Sequence, residues 1–225
     1  DLNGAHNLVI SNIIDGRGVQ DTGIRVQGVA QTNRKNFVSG RCRLGISIET
    51  SRSNVLIANS VFSNNNSGIS LYLGTSQANI VSSNVVDGRG RQTNGIYLSI
   101  APNNQFRQNK VFGNTYYGIA VDATPTTCLN NIFFTNHVYS NAIYGIGVIQ
   151  SGARGNVFRG NLIEGRGAQD IGIALWGASR NMFSNNTCIG NVGYGMYFAW
   201  GIGVATANRV FGNTFRSNVL AGLST

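Results

Sequence analysis

Hydrophobic and polar positions repeat along the whole chain. A Gly-Ile-x-aliphatic motif recurs at intervals of 22 to 27 residues, and its last two copies read Gly-Met-Tyr-Phe and Gly-Leu-Ser-Thr. Its glycines are Gly23, Gly45, Gly68, Gly95, Gly118, Gly145, Gly172, Gly195 and Gly222. Because aliphatic residues alternate with other residues in the motif, the pattern predicts a β-strand with one buried face.

A second predicted strand precedes each motif and is framed by two asparagines. The first asparagine is Asn7, Asn54, Asn79, Asn104, Asn131, Asn156, Asn181 or Asn208, and the second is Asn12, Asn59, Asn84, Asn109, Asn136, Asn161, Asn186 or Asn213. Only the segment 31–45 departs from this frame. Asparagines in register can stack, each side-chain amide bonding to the next and satisfying bent backbone at a corner. We therefore predict two internal asparagine ladders.

Strands that recur about every 25 residues, with no helical segment between them, cannot pair as hairpins in this order. Each repeat must instead stack on the equivalent strands of the next repeat. On these motifs the chain resembles the right-handed parallel β-helix of the pectin-lyase-like superfamily, over essentially its whole length. The resemblance implies an all-β fold, a single-stranded right-handed parallel β-helix (solenoid) of about nine coils. Residues 1–225 form one domain, expected to be an excerpt of a longer chain because neither end offers a capping helix.

The net charge of the chain indicates which classes of binding partner it would attract. The chain has 17 Lys and Arg against 8 Asp and Glu, which gives a formal net charge of +9. Such a surface attracts polyanions, namely acidic polysaccharide, nucleic acid or anionic lipid. Nucleic acid is the weakest of these, because the chain has no recognised nucleic-acid motif and no basic helix. No apolar run approaches 18 residues, so we expect no membrane span.

Metal and cofactor sites are not expected. Cys42, Cys128 and Cys188 are widely spaced and predict free, partly buried thiols. His6 and His137 have no acidic or metal-ligand pattern around them in the sequence. Calcium would need clustered carboxylates, which 8 acids spread over about nine coils do not provide.

An acid-Gly-Arg-Gly stretch, here called the GRG turn, occurs three times, at residues 15–18, 87–90 and 164–167. Coils with this stretch carry two extra residues at one corner, which favours a turn insertion. In that interpretation both glycines supply positive φ angles. It also predicts surface ion pairs between Arg17 and Asp21 and between Arg166 and Asp170.

A chemical interpretation of the same stretch remains open. Glu164 and Asp170 flank Arg166, and two carboxylates across one turn could lie at glycosidase separations of roughly 5 to 10 Å. The arginine would then hold an acidic sugar. Glu164, Arg166 and Asp170 are therefore the candidate catalytic residues.

Outward positions of the Gly-Ile strands and their continuation supply the candidate substrate-binding residues. These are Tyr72, Tyr97, Asp122, Trp176 and Tyr197, together with Trp200. Exposed aromatic rings can stack on the apolar faces of sugar rings. The second coil offers a competing anion-binding patch of Arg34, Lys35, Arg41, Arg43 and Arg52 against Glu49 alone.

Two functions from different classes follow. The first is a polysaccharide-binding or polysaccharide-modifying protein of lyase, hydrolase or epimerase type, acting on an anionic glycan. Neither the Gly-His-Gly of polygalacturonase-like members nor the Asp-Pro-His-Asp of mannuronan epimerase-like members is present, so whether the chain is an enzyme stays open. The alternative is a non-enzymatic structural or adhesion scaffold of a cell-surface or virion protein. Both predict an extracellular location, with a homo-oligomer or capping segments outside the chain as protein partners.

Overall fold

Three long parallel sheets form the body of the protein. The computed structural model describes residues 1–124, 127–199, 203 and 205–224. Each main sheet has nine strands, and every strand pairs in parallel with the equivalent strand of the neighbouring coil. The prediction of a parallel β-helix of about nine coils is confirmed. No helix within the described residues could cross a membrane.

Each coil has three sides. The strands on two of these sides are short, and the strand on the third side is longer. The first sheet contains Leu8–Ile10, Thr32–Arg34, Val55–Ile57, Ile80–Ser82, Gln105–Arg107, Ile132–Phe134, Val157–Arg159, Met182–Ser184 and Arg209–Phe211. The second sheet contains Ile13–Asp15, Phe37–Ser39, Ser60–Phe62, Val85–Asp87, Lys110–Phe112, His137–Tyr139, Leu162–Glu164, Thr187–Ile189 and Thr214–Arg216. The third, here called the Gly-Ile sheet, contains Thr22–Val26, Leu44–Glu49, Ser67–Tyr72, Asn94–Ser99, Tyr117–Asp122, Tyr144–Ile149, Ile171–Trp176, Tyr194–Ala199 and Ala221–Ser224. Cys128–Leu129 and Ala153–Arg154 pair separately.

Side chains of one kind stack in columns through the core. In the first sheet Phe106, Phe133, Phe158 and Phe183 are fully buried, and neighbouring rings lie 4.7 to 4.8 Å apart in nearly parallel planes. The aliphatic residues of the Gly-Ile motif fill the opposite side of the same core. The distance between neighbouring rings equals the distance between neighbouring coils, about 4.8 Å, so each ring packs directly on the equivalent ring of the next coil.

Both predicted asparagine ladders are confirmed. Apart from Asn7 and Asn12 in the first coil and Asn54, which accepts only from the backbone of Gln31, each asparagine accepts hydrogen bonds from the backbone and the side chain of its counterpart one coil earlier. Asn136 accepts these bonds from Asn109 at 3.1 and 2.9 Å. The irregular second coil also takes part, since Gln31 and Asn36 occupy the two ladder positions there. The sequence frame missed both, because Gln31 is not an asparagine, and without it Asn36 has no asparagine five residues earlier to complete the frame.

A third ladder, which the sequence pattern did not predict, runs along the corner before the Gly-Ile sheet. It consists of Asn64, Gln92, Asn114, Asn141, Gln169, Asn191 and Asn218. Gln92 and Gln169 lie in coils with a GRG turn. Their additional methylene lets them reach the ladder from a coil whose corner is two residues longer.

The GRG turn is therefore a structural insertion, but its backbone differs from the prediction. Arg89 and Gly90 have φ angles of 49° and 68°, whereas the first glycine, Gly88, is not among the residues with positive φ. Gly88 is required for a different reason, since a Cβ there would lie 2.5 Å from the carbonyl oxygen of Gly113 on the next coil. The other two copies repeat the φ pattern, and a Cβ on Gly165 would likewise collide with the carbonyl oxygen of Gly190, whereas a Cβ on Gly16 would collide first with the sulfur of Cys42.

The predicted ion pairs of the GRG turn are wrong. Arg17 lies 3.8 Å from Asp15, and Arg166 lies 2.6 Å from Glu164, so each arginine pairs with the acid of its own turn. The guanidinium of Arg166 also sits 4.1 Å above the ring of Tyr139 on the preceding coil. The turn thus holds its arginine against the coil before it, as Arg89 also does over Phe62 at 4.9 Å.

One core position holds a buried side-chain amide without hydrogen-bond partners, and this gives a stability prediction. Asn33 is fully buried in the column that holds Val9 and Leu56, and neither its side-chain nitrogen nor its oxygen has a hydrogen-bond partner among the described residues. Asn33→Val should raise the free energy of unfolding by about 1 to 3 kcal/mol, because an unsatisfied buried amide is removed. Urea denaturation measures this. The exposed Asn66→Val is the matched control, and a less stable Asn33→Val protein would contradict the assignment.

Candidate functional site

The outer face of the Gly-Ile sheet changes character along the rod. One outward column, in register from coil to coil, reads Arg25, Ser47, Ser70, Tyr97, Ala120, Gly147, Ala174, Tyr197 and Ser224. The last residue of the strands adds a second set, Glu49, Tyr72, Ser99, Asp122, Ile149, Trp176 and Ala199. Coils one to five therefore present a polar surface, and coils five to eight present an aromatic surface over a floor of small residues.

A buried carboxylate organises the polar surface. The side chain of Glu49 is only 8% exposed and lies 3.2 Å from Nε of Arg25. The same carboxylate accepts hydrogen bonds from the hydroxyls of Ser47 (2.8 Å) and Tyr72 (2.6 Å). Burial, reinforced by the contact with Glu49, raises the pKa of Tyr72 above its usual value, so Tyr72 remains a neutral donor.

A groove of about 170 Å³ opens beside this carboxylate. Its walls include Arg43, Tyr72 and Tyr97, and Ser70 and Ser99 also line it. Arg43 is half exposed and donates to Asp21 at 2.5 Å, and this bond lowers the pKa of Asp21. The groove thus joins a fixed cation, two phenols and two hydroxyls.

Tyr97 and Asp122, predicted separately from sequence, are in direct contact. The hydroxyl of Tyr97 donates to the carboxylate of Asp122 at 3.0 Å, and the other carboxylate oxygen accepts the backbone N–H of Thr124 at 2.9 Å. Burial and the charge of Asp122 raise the pKa of Tyr97 to about 12. Tyr97 is therefore protonated at neutral pH and can act as a hydrogen-bond donor.

An aromatic cluster continues the same face. Tyr117 and Tyr144 stack with ring centroids 5.0 Å apart, and the ring of Trp176 stands nearly perpendicular to Tyr144 at 4.8 Å. The cluster needs a floor without side chains, because a Cβ on Gly147 would collide with the ring of Tyr117. Trp176 has no parallel aromatic neighbour among the described residues, so its indole face is free of aromatic stacking.

Sequence reasoning placed Trp176 and Tyr197 but missed the tyrosines beside them. Tyr117, Tyr144 and Tyr194 directly precede the glycine of the Gly-Ile motif, which was the available signal. Tyr194 stacks with Tyr197 at 5.0 Å. The predicted position Trp200 lies outside the described residues.

The candidate catalytic residues lie around a different sheet. Glu164 ends a strand of the second sheet and bonds to Nε2 of His137 (2.5 Å) and to Arg166 (2.6 Å). Partial burial would raise the pKa of Glu164, but the bonds from His137 and Arg166 outweigh it and hold that pKa below its usual value. Asp170 is exposed and forms no ion pair within the described part of the chain.

The expectation that His137 lacks an acidic neighbour is wrong. His137 opens one strand of the second sheet, and Glu164 closes the adjacent strand, where it pairs with Tyr139. The two residues are 27 positions apart in sequence and one coil apart in space. The signal was the repeat itself, which places residues separated by one period on neighbouring strands.

Comparison with known proteins identifies the family of this repeat. The family model for the periplasmic copper-binding protein NosD matches residues 2–167 and 72–224, which together span nearly the whole chain. No curated protein matches the chain in sequence.

Solved structures share the architecture at low identity. The periplasmic alginate epimerase AlgG matches with a TM-score of 0.70 and 18% identity, covering 88% of this chain and 50% of that one. The A-module of the Azotobacter vinelandii mannuronan C-5 epimerase AlgE6 matches with a TM-score of 0.71 and 13% identity, covering 98% and 58%. The Dettilon tailspike protein gp208 matches with a TM-score of 0.66 and 18% identity, covering 89% and 47%. The chain thus spans about half the length of these proteins, and the similarity establishes the fold.

Proposed function

The chain belongs to the family of the periplasmic copper-binding protein NosD and folds as a parallel β-helix, and we propose that it binds polysaccharide outside the cytoplasm. The glycan lies lengthwise on the outer face of the Gly-Ile sheet. The observation that carries this proposal is the continuity of the polar groove with the aromatic cluster on one face. Proteins with this fold named for alginate or mannuronan epimerisation support the choice of ligand class.

The repeat spacing matches a sugar polymer. Successive coils are about 4.8 Å apart, close to the length of one sugar residue. Tyr97 is on coil four, Asp122 on coil five, Trp176 on coil seven and Tyr197 on coil eight. A ligand running along the rod would contact Tyr97 and Asp122 through hydroxyl groups and Trp176 through a ring face, over roughly 14 Å from coil four to coil seven.

An acidic sugar suits the groove best. Arg43 uses Nε and one terminal nitrogen for Asp21. A guanidinium carries five N–H donors, so donors remain for a sugar carboxylate at the groove wall. Tyr72 and Tyr97 flank that position as neutral phenols, so these two side chains add no charge of their own that would repel the incoming anion.

A chemical step on the glycan is a second candidate, favoured by the pair of His137 and Glu164. Glu164 is held ionised by its depressed pKa, which suits a nucleophile or a base better than an acid. We keep Glu164, Arg166 and Asp170 as the proposed catalytic residues for hydrolysis, elimination or epimerisation. They lie at the corner that leads from the second sheet into the Gly-Ile sheet, so they would act on a glycan that reaches this edge of the Gly-Ile sheet. Incubation with uronate polymers, followed by assays for reducing ends, unsaturated products and inversion at C5, tests this step. A chain that binds but never changes these polymers would support a binding scaffold.

Trp176→Ala tests the binding proposal. Loss of this ring should weaken oligouronate affinity by about 1 to 3 kcal/mol, the scale for removing one aromatic anchor. The side chain is only half-buried and outside the core, so thermal stability should change little. Isothermal titration with oligouronates of increasing length measures the effect.

Phe37→Ala is the matched control, because Phe37 is a 40%-exposed aromatic on the second sheet. It should leave the affinity unchanged. If Trp176→Ala binds normally while charge reversal at Arg41 and Arg43 abolishes binding, the glycan site lies on coil two and the placement along the aromatic cluster is wrong.

Copper does not fit the described residues. Copper is held by imidazole, thiolate, thioether and carboxylate groups that converge on one point. The described residues contain no group of three or more His, Cys, Asp or Glu that could hold a metal ion. Cys42, Cys128 and Cys188 are buried on separate coils, and burial raises the pKa of each thiol. No step of the proposed function uses copper.

A further inference from the structure

The positive charge of the protein is concentrated on one side of the rod. The first-sheet strands and the turns directly flanking them carry eight of the 17 Lys and Arg residues and none of the eight acids. These eight residues, here called the basic face, are Arg34, Lys35, Arg52, Arg107, Arg154, Arg159, Arg180 and Arg209. Eight cations without an acid make a local charge of +8 in a chain whose total is +9.

The acids are all on the other two sides. Asp15, Asp87 and Glu164 end strands of the second sheet, and Glu49 and Asp122 end strands of the Gly-Ile sheet. Asp21 and Asp170 precede Gly-Ile strands, and Asp1 reaches Arg25 of that sheet at 3.9 Å. The acids and the unpaired cations are interspersed along the sequence. Their separation onto different sides of the molecule is therefore a property of the fold.

The cations of the basic face are not neutralised within the protein. Seven of the eight are exposed, and Arg107 is half-buried. None forms an ion pair with another described residue. Of the nine Lys and Arg residues elsewhere, five form ion pairs within the described part of the chain (Arg17, Arg25, Arg43, Arg89 and Arg166) and four do not (Arg41, Arg91, Lys110 and Arg216). Unpaired guanidinium groups on one surface are available to an external anion.

Apolar side chains separate these cations. The outward positions of the first-sheet strands include Val55, Ile57, Ile80, Ile132, Phe134, Val157 and Met182. Arg34, Arg107 and Arg159 share the register column of Ile57 and Phe134, on coils two, five and seven. Their spacing along the rod is about 14 Å and then about 10 Å, on a sheet about 38 Å long.

We propose that the basic face docks on an anionic phospholipid surface. Guanidinium groups would meet headgroup phosphates, and the apolar residues between them would enter the interface, a combination that binds membranes by charge and apolar area together. A glycan suits this face less well, because these apolar side chains, most of them aliphatic, offer its hydroxyls no hydrogen bonds.

The arrangement leaves the glycan site accessible. The first sheet and the Gly-Ile sheet are separate sides of the same coil, so a rod lying on its first sheet keeps the groove and the aromatic cluster away from the lipid. The docking proposal does not depend on glycan binding, and either can hold without the other.

Vesicle co-sedimentation of the full chain tests the proposal. Phosphatidylcholine vesicles should bind weakly, and vesicles with added phosphatidylglycerol should bind in a salt-sensitive manner. The triple variant Arg34→Gln, Arg107→Gln, Arg159→Gln should bind the anionic vesicles about 100-fold more weakly, at roughly 1 kcal/mol for each basic residue at the surface.

The matched control removes the same charge elsewhere. Arg41→Gln, Arg91→Gln, Arg216→Gln changes three exposed arginines outside the basic face, and vesicle binding should stay within about twofold of the parent. Circular dichroism melting confirms that both variants are folded. Equal loss in both triple variants would reduce the effect to net charge and overturn the proposal. The proposal would also be overturned if the parent protein did not bind the anionic vesicles and the basic-face variant lost binding to polyuronate.

Discussion

Gly118→Ala is expected to lower the free energy of unfolding by about 3 kcal/mol, the upper range for an overpacked core. A Cβ at this position would lie 2.6 Å from Nδ2 of Asn141 and 2.7 Å from the carbonyl oxygen of Gly145, and it would also collide with Val138. None of these atoms can move freely. Asn141 belongs to the third ladder, and Gly145 is the equivalent glycine of the next coil.

Chemical denaturation of the purified variant measures the loss, and Gly90→Ala is the control. Gly90 has positive φ, but a Cβ added there would have no other atom within 4 Å, so alanine adds backbone strain of about 1 to 2 kcal/mol without a collision. Gly118→Ala should therefore be clearly the less stable of the two. Equal stability of the two variants would mean that the coils can separate locally, against the close approach of the glycine column.

Asn136→Ala should destabilise the rod by about 1 to 3 kcal/mol, the cost of leaving buried polar groups without partners. Its side-chain oxygen accepts from the backbone and the amide of Asn109, and its nitrogen donates to Phe106 (3.0 Å) and Asn161 (3.0 Å). Alanine removes all four bonds at once in a position that is 1% exposed. Water cannot replace them without opening the corner.

Urea titration of Asn136→Ala beside Asn66→Ala separates this effect from a general cost of losing asparagine. Asn66 is exposed, and its side chain makes no hydrogen bond to the described residues, so its replacement should change stability little. An Asn136→Ala protein as stable as the parent would show that the ladder side chains contact water and contribute no net stability.

The two stability predictions rest on features that are visible in the sequence, and their success or failure bears on the repeat as a whole. The glycine column and two of the three ladders follow from residues that recur with the same spacing. The glycines of this column approach each other closely because they occupy the same position in successive repeats. By contrast, Gln31 and Gln92 fill ladder positions under a different residue name, and a search for asparagine alone cannot detect them.

The candidate site was predicted only in part. Tyr72, Tyr97, Asp122, Trp176 and Tyr197 were placed on the Gly-Ile strands by alternation, and the structure puts them on one outer face. Their partners were not predictable in the same way. The bond between Tyr97 and Asp122, and the bond between Tyr72 and Glu49, join residues 25 and 23 positions apart whose coils have different lengths.

The sequence by itself determined the solenoid, its coil number and the composition of its core, because stacking in register turns a one-dimensional period directly into contacts between coils. The tertiary structure decided which side chains meet across the corners, including the pair of His137 and Glu164, the aromatic cluster and the separation of acids from the basic face. These depend on where each turn places its strands after an insertion of two residues. A shift of one position at a corner would turn an outward side chain inward, and only the folded coil fixes that choice.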